Sequence, residues 1–442
     1  MQDSCMGTNT TVAAVFRPLL TAALGTAPPP VRFEFWDGSS LAPRTGRTVG
    51  AVVVRSKDAL AHMVWAPGEL GLVRAFVAGD LDFSGDIFTV LRTLQQGAPN
   101  DASLGAQAAL KALGAAAKMG ALRGRPAPPE QEAHPKGRLH SKRRDSQAIS
   151  HHYDVGNEFY ELVLGESMTY SCARFVSPED DGSQGPAATM ALADAQAAKH
   201  DLICRKLGLD RGPGMRLLDV GCGWGSMAIH AATHYGARVV GITISAAQAE
   251  LARERVAAAG VSDQVEIRLQ DYRDLSGERF DAISSVGMFE HVGTERTAEY
   301  FDTLFALLGP GGRLLNHAIS SPGGSKISSR SFIGRYVFPD GELLDAGVTA
   351  AAMQQAGFEL RDVEALREHY ALTLRAWVEN LQKNWDRAVE LVGVGRARVW
   401  LLYMAGSALG FEDGGIGIHQ LLGVVPEESG AARMPASRRS WM

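Results

Sequence analysis

The sequence predicts an α/β protein built on a parallel sheet, preceded by a smaller α+β unit. Three observations carry this. Strand-like and helix-like segments alternate from about residue 190 to residue 365. The apolar run Leu217-Leu218-Asp219-Val220 ends in glycines at alternate positions, Gly221, Gly223 and Gly225, and a helical pattern follows. Such glycines let a chain turn sharply and approach a ligand, and the next helix points its N–H groups at that ligand. The 442 residues suffice for one large domain and a smaller one.

The elements follow in order. Val31–Phe35 and Thr48–Arg55 read as short strands, Leu70–Ala78 as a helix ending in the turn Gly79-Asp80, and the Ala-rich Ala102–Leu122 as a helix. Residues 1–122 therefore form a first domain. Residues 123–148 are Pro-rich and basic and read as a linker. In the second domain, 149–425, Leu192, Ala195, Lys199, Leu202, Ile203 and Leu207 recur at helical spacing. After the glycine loop come strand Arg238–Ser245, helix Ala246–Ala259, and strands Val265–Leu269 and Phe280–Val286. Helix Arg296–Leu308 is expected to stop at Gly309-Pro310-Gly311-Gly312, with strand Arg313–Ile319 next. Helix Val348–Ala356 and strand Phe358–Val363 complete the alternation. Residues 426–442 read as a loose polar tail.

Composition is that of an ordinary globular protein. Four scattered cysteines argue against a disulfide framework or a structural zinc site and fit a cytoplasmic protein. No run is long enough to span a membrane, and Arg17 interrupts the apolar N-terminal pieces, so no signal peptide is expected. The net charge of −5 is uninformative, but the linker concentrates Arg123, Arg125, Lys136, Arg138, Lys142, Arg143 and Arg144. That run is either a solvated linker or a surface for anionic phospholipid headgroups, roughly 1 kcal/mol per charge. It lacks the interleaved aromatics of a nucleic-acid binder.

A dinucleotide enzyme would carry Asp or Glu at the end of the second strand for a ribose hydroxyl. This chain has Thr243 there, with Gln248 after it. The loop reads better as one for S-adenosylmethionine, with Asp219 and the glycine backbone at the methionine moiety. Thr243 and Gln248 then serve the ribose, and Gln270, Asp271 and Tyr272 flank the adenine. Ordinary strand-end, helix-cap and turn-cap chemistry remains open for Thr243, Gln248 and Asp271.

Five further segments are distinctive: His151–Tyr160, Met168-Thr169-Tyr170-Ser171-Cys172-Ala173, Val286–Gly293, Tyr336–Gly341, and His369-Tyr370 with Thr373-Leu374 and Ala376-Trp377. With the glycine loop they closely resemble the cyclopropane fatty acid synthase family, including the mycolic acid cyclopropane synthases, over about residues 148–424. The N-terminal unit and the ending Gly406 to Gln420 look more like an actinobacterial subgroup that converts oleoyl phospholipid to a methylene-branched precursor of tuberculostearic acid. The resemblance implies a class I, Rossmann-like methyltransferase with a mostly parallel seven-stranded sheet, Tyr170, Ser171 and Val286 adding to the cofactor site. It also implies a homodimer, a separate flavin-type reductase for a methylene product, and residence at the inner membrane face.

The implied chemistry makes recognisable demands. An isolated cis double bond is a poor nucleophile, so it must be held in line with the methyl donor. The resulting carbocation needs a dry pocket, and aromatic faces can stabilise it. Tyr153, Phe159, Tyr160, Tyr170, Phe289, Tyr336 and Phe338 are the supply, each equally readable as core packing. The family resemblance assigns proton removal to a bound bicarbonate, with Cys172, Glu290, His317, Tyr370 and the backbone of Ile319 as its ligands. Cys172 otherwise reads as a small buried residue, Glu290 as a helix cap, His317 as a structural histidine and Tyr370 as packing. The subgroup likeness favours a methylene-branched product over a cyclopropane. Rival readings are a methyltransferase for a soluble small molecule and an inactive lipid- or cofactor-binding protein.

Overall fold

The computed structural model describes residues 11–24, 28–44, 46, 49–97, 124–133, 155–176, 185–339 and 341–441, with 114, 117, 119, 120 and 122. Most of the basic linker, most of the Ala-rich helix expected over 102–122, and Tyr153 lie outside them. The chain divides into two compact units. The first comprises Met1–Glu132 with Arg330–Phe332 and Gly393–Gly406; the second holds the remainder.

The first unit contains helices α1 (Val12–Leu24), α2 (Asp58–Trp65), α3 (Glu69–Ala78) and α4 (Ile87–Gly97). They accompany strands β1 (Arg32–Phe35), β2 (Ser40–Leu41), β3 (Gly50–Val54) and β4 (Leu81–Gly85) in the order β2-β1-β3-β4. Phe33, Phe35, Val52, Val54, Leu60 and Phe76 form its core. The unit runs past residue 122 into the expected linker. The reason is a buried two-pronged pair: Arg74 Nε and Nη2 donate to Glu132 Oε1 and Oε2 at 2.6 and 3.0 Å. Once buried, that pair fixes residue 132 against α3, since either charge alone would be costly.

The second unit is built on a seven-stranded sheet. Its strands are β5 (Arg216–Val220), β6 (Arg238–Thr243), β7 (Val265–Leu269), β8 (Phe280–Val286), β9 (Leu308–Ser320), β12 (Glu359–Ala365) and β13 (Gly417–Val424). The small ribbon β10 (Ser325–Lys326) and β11 (Glu342–Leu343) stands apart. The order is β12-β13-β9-β8-β5-β6-β7, parallel from β9 to β7, with β13 antiparallel to both its neighbours. Both faces are covered, and strand periodicity sorts the residues. Leu217, Val239, Leu315 and Leu422 enter one core cluster; their neighbours Leu218, Val240, Leu314 and Leu421 enter the other.

Helices α5 (Asn157–Leu164), α6 (Leu192–Leu207), α7 (Ser226–Tyr235), α8 (Ala246–Ala258), α9 (Thr297–Ala306), α10 (Ala346–Gln355), α11 (Arg367–Lys383) and α12 (Trp385–Glu412) complete the unit, apart from the segment of α12 assigned to the first. Ser245 caps α8, its hydroxyl accepting from Gln248 N at 3.3 Å, and Asp345 caps α10 by accepting from Gly347 N at 2.7 Å.

Two expectations change. The run Gly309–Gly312 is no loop: β9 begins at Leu308, and Gly311 N and Gly312 O pair with Val425 O and N at 2.7 and 2.9 Å. The register shift between Phe280 and Ala282 absorbs the irregular residues. The tail is packed rather than loose. Trp441 is 5% exposed within the Leu202–Leu217 cluster, Arg438 pairs with Asp362 at 2.6 Å, and Arg433 O accepts from Arg313 at 3.1 Å.

Candidate active site

In the sheet, β5 is flanked by β6 on one side and β8 on the other, so the chain direction of the winding reverses at its carboxyl end. Ligands of open α/β sheets bind at that crevice. Here a cavity of about 1210 Å³, counting its open mouth, lies there. Gly221 N and Cys222 N both donate to Ile242 O at 2.9 Å, pinning the glycine loop onto β6. Gly221 and Gly223 hold φ of +73° and +55°, a region that side chains disfavour, and a Cβ on Gly221 would meet Met288 at 3.0 Å.

Of the residues expected at the cofactor, Tyr170, Ser171, Asp219, Gly221, Gly223, Thr243, Gln248, Gln270, Asp271, Tyr272 and Val286 all line this cavity. Gly225 does not. It caps α7 at φ +80°, and a Cβ there would touch Ala252 at 3.4 Å, so its role is close packing of α7 on α8. Thr243 Oγ1 donates to Gln248 Oε1 at 2.8 Å, which fixes both side chains at the strand end. Asp271 holds Arg273 through a 2.6 Å ion pair and caps the following turn, so its carboxylate is already engaged.

Asp219 is buried, and burial raises its carboxyl to about 6. Its Oδ1 accepts from Ser284 at 2.7 Å, whereas Oδ2 is buried without a partner. An acceptor left bare in a cavity wall fits an ammonium-bearing ligand such as the methionine end of S-adenosylmethionine. The sequence reading missed Lys199, His200, Trp224 and His291, which also line the cavity. Burial lowers His291 to about 4, leaving it neutral at pH 7.

The proposed base residues converge elsewhere, behind this wall. Glu290 follows β8, and its Oε1 accepts from Ile319 N at 2.7 Å. Ile319 N–H is thus committed to Glu290 rather than open to an anion. Burial raises the Glu290 carboxyl to about 7, and Oε2 has no partner. His317 lies two residues before Ile319 on β9, fully buried; Gln420 Nε2 of β13 lies 3.1 Å from its Nδ1. With that amide donating, the ring proton sits on Nε2, which is buried and unpartnered. Cys172 Sγ donates to Leu366 O at 3.6 Å and Ala173 O at 3.2 Å. Burial pushes its thiol up, so it is no thiolate nucleophile. Tyr370 N donates to the same Leu366 O at 3.1 Å, and Leu366 N reaches Ile418 O at 3.0 Å, opposite Ile319 in the β9–β13 ladder. Backbone contacts therefore gather Cys172, Tyr370, Ile319, Glu290 and His317 at one end of two paired strands. A bare acceptor at Glu290 and a bare donor at His317 fit a small anion that carries its own proton, such as bicarbonate.

The expected aromatic residues divide. Phe289 packs on Tyr300 and Phe301 in the core, with ring centroids 5.4 and 5.3 Å away, and so is structural. Phe159 and Tyr336 are buried away from the cavity wall, and Phe338 stands 6.0 Å from the His291 ring. The rings that connect the two halves of the site form a different set. Trp224 contacts Tyr160 (4.6 Å), Tyr160 contacts Tyr170 (5.7 Å), Tyr170 contacts Trp377 (5.3 Å), and Trp377 contacts Tyr370 (6.1 Å). This chain of faces runs from the glycine loop to the base residues.

A seven-stranded, mostly parallel sheet with this cavity at its switch point defines a class I S-adenosylmethionine-dependent methyltransferase. The family model described as mycolic acid cyclopropane synthetase matches residues 140–421, and the chain belongs to that family. It is 41% identical to a Mycobacterium tuberculosis protein named probable fatty acid methyltransferase, over 96% of this chain and 97% of the relative. It is 33% identical to a tuberculostearic acid methyltransferase of the same organism, over 88% of this chain and 87% of the relative. Among solved structures, a mycolic acid cyclopropane synthase complexed with SAH and CTAB matches at 33% identity and a TM-score of 0.56, over 63% of this chain and 97% of that one. The protein is accordingly an S-adenosylmethionine-dependent methyltransferase of this family.

Proposed function

We propose that the protein methylates the cis double bond of an oleoyl-type chain in a membrane phospholipid and releases a 10-methylene-branched chain. The observation that carries this reading is a cofactor cavity at the carboxyl end of the sheet together with buried Glu290 and His317, each with one unmet hydrogen-bonding atom. The name of one relative, a tuberculostearic acid methyltransferase similar over 88% of this chain, supports a branched product.

Asp219, Ser171 and the glycine-loop backbone hold the cofactor, which supplies an electrophilic methyl group. Tyr170, which lines the cavity, would present its ring face to the positive charge that develops on the acyl chain, with Tyr160 and Trp377 packed around it. Their burial excludes water, which would trap that charge as an alcohol. His317 Nε2–H and Glu290 Oε2 orient a bicarbonate ion, which would supply the base. Glu290 Oε2, ionising near neutrality, is suited to take up the released proton. A 1,2-hydride shift before proton loss from the new methyl group gives the methylene; direct loss closes a cyclopropane. No helix among the described residues is long and apolar enough to cross a membrane. Peripheral docking at the inner membrane face, a homodimer and a partner reductase belong to the same proposal.

The test is one incubation of protein, S-adenosylmethionine, bicarbonate and oleoyl-phosphatidylglycerol liposomes, with fatty acid methyl esters resolved by gas chromatography–mass spectrometry. A product one CH₂ heavier that co-elutes with the methylene standard supports the reading. A cyclopropane product overturns the product assignment, and no product overturns the lipid substrate.

A further inference from the structure

We propose that Lys199 is the counter-charge for the α-carboxylate of the cofactor's methionine, facing Asp219, which takes the α-ammonium. Lys199 lies on α6, and Gln196, one turn before it, donates to Ser171 O at 2.9 Å, so this helix face is clamped to the Tyr170–Cys172 segment. Lys199 is 1% exposed, and its Nζ makes one hydrogen bond, to Ser171 Oγ at 2.9 Å. An ammonium has three donors, so two N–H groups remain to be matched. Asp219 is equally buried and has one carboxylate oxygen bare.

Both residues line the same cavity and act on one another's charge, and no ion pair within 4.0 Å joins them among the described residues. Two opposite buried charges held apart in one cavity are each poorly satisfied, because desolvation is repaid only by close pairing. A zwitterion inserted between them satisfies both. The cofactor's methionine end is such a zwitterion, and Gln270 and Tyr272 leave the rest of the cavity to its adenosine. A neutral or purely cationic ligand end would leave Lys199 unmatched.

The titration behaviour agrees. Burial lowers Lys199 to about 7 and raises Asp219 to about 6, so each is close to losing its charge until a partner arrives. The other groups that face Lys199 are Cys172, His200, His230 and His317. Burial drives the thiol up and the three imidazoles down, so all four stay neutral near pH 7 and Asp219 alone shares the titration range.

The experiment is calorimetric titration with S-adenosylhomocysteine and with S-(5′-adenosyl)-3-thiopropylamine, which lacks only the carboxylate. Wild type should prefer the former by about tenfold or more, the scale of one charge-assisted hydrogen bond. Lys199→Met should weaken S-adenosylhomocysteine by about tenfold and leave the amine within about twofold. Equal losses for both ligands, or no loss for the first, overturn the proposal. Should the variant fail to fold, wild type suffices. At pH 8, titration in phosphate and in Tris should reveal more proton uptake with S-adenosylhomocysteine than with the amine, because the carboxylate recharges Lys199. The Asp219 contribution is common to both ligands, so equal uptake refutes the assignment, while binding of the amine keeps the cofactor site itself in evidence.

Discussion

Glu290→Gln should make the protein more stable at alkaline pH and inactive at every pH. The carboxyl is buried, with Ile319 N–H as its one conspicuous hydrogen-bond donor, and its pKa rises from 4.5 to about 7. A raised carboxyl pKa means that the native state holds a proton that the unfolded state has lost. The linked stability is present below pH 4.5 and is lost as pH rises through 7. Two and a half pKa units correspond to about 3 kcal/mol, reached at pH 8 and above. At pH 5 the same linkage leaves under about 1 kcal/mol. Glutamine keeps the oxygen that accepts from Ile319 and carries no charge, so the variant avoids this loss. Urea denaturation of both proteins at pH 5 and pH 8.5 measures it, since all other titrating groups cancel in the comparison. The variant should gain about 2 kcal/mol relative to wild type between the two values. A difference independent of pH, or one that favours wild type at pH 8.5, would refute the picture of a strained buried carboxyl.

His317→Ala should abolish turnover and leave S-adenosylhomocysteine affinity within about threefold, because His317 lies behind the cavity wall; a loss beyond about thirtyfold would place it at the cofactor instead. Gly223→Val forces a β-branched residue into φ +55° beside the ligand. It should weaken calorimetric S-adenosylhomocysteine binding by about a hundredfold, and unchanged binding would show that the loop is misread. Trp441→Ala should lower unfolding free energy by about 3 kcal/mol in urea without altering cofactor affinity, whereas a neutral effect would return the tail to a loose state.

The cofactor half of the site was legible because its determinants are local. Gly221 and Gly223 announce a backbone conformation, and Asp219, Thr243 and Gln270 each end a strand whose apolar run is plain. The base half became legible only through a family resemblance. Cys172, Glu290 and Tyr370 are far apart in sequence, and the contacts that unite them run to the backbone of Leu366 and Ile319, which no side-chain pattern marks. Lys199 falls on the apolar stripe of its helix, but periodicity alone gives a lysine there no partner; its burial beside Ser171 and in the cavity wall exposes its role. Gly309–Gly312 misled because Gly and Pro usually break strands, and at this edge a bulge accommodates them. Trp441 was hidden by polar neighbours, and nothing in composition marks a single anchoring ring.

The placement of β13 has a consequence for biosynthesis. This strand lies between β9 and β12 and supplies Gln420, which fixes the proton on His317 across a separation of 103 residues. A nascent chain can assemble β5 to β9 early, yet β9 keeps a bare edge until β13 leaves the ribosome. Such long-range pairing is slow, and an unpaired hydrophobic edge invites association with other chains. Chains truncated before Gly417 should therefore aggregate more readily than chains that contain β13, because the β9 edge stays open in them.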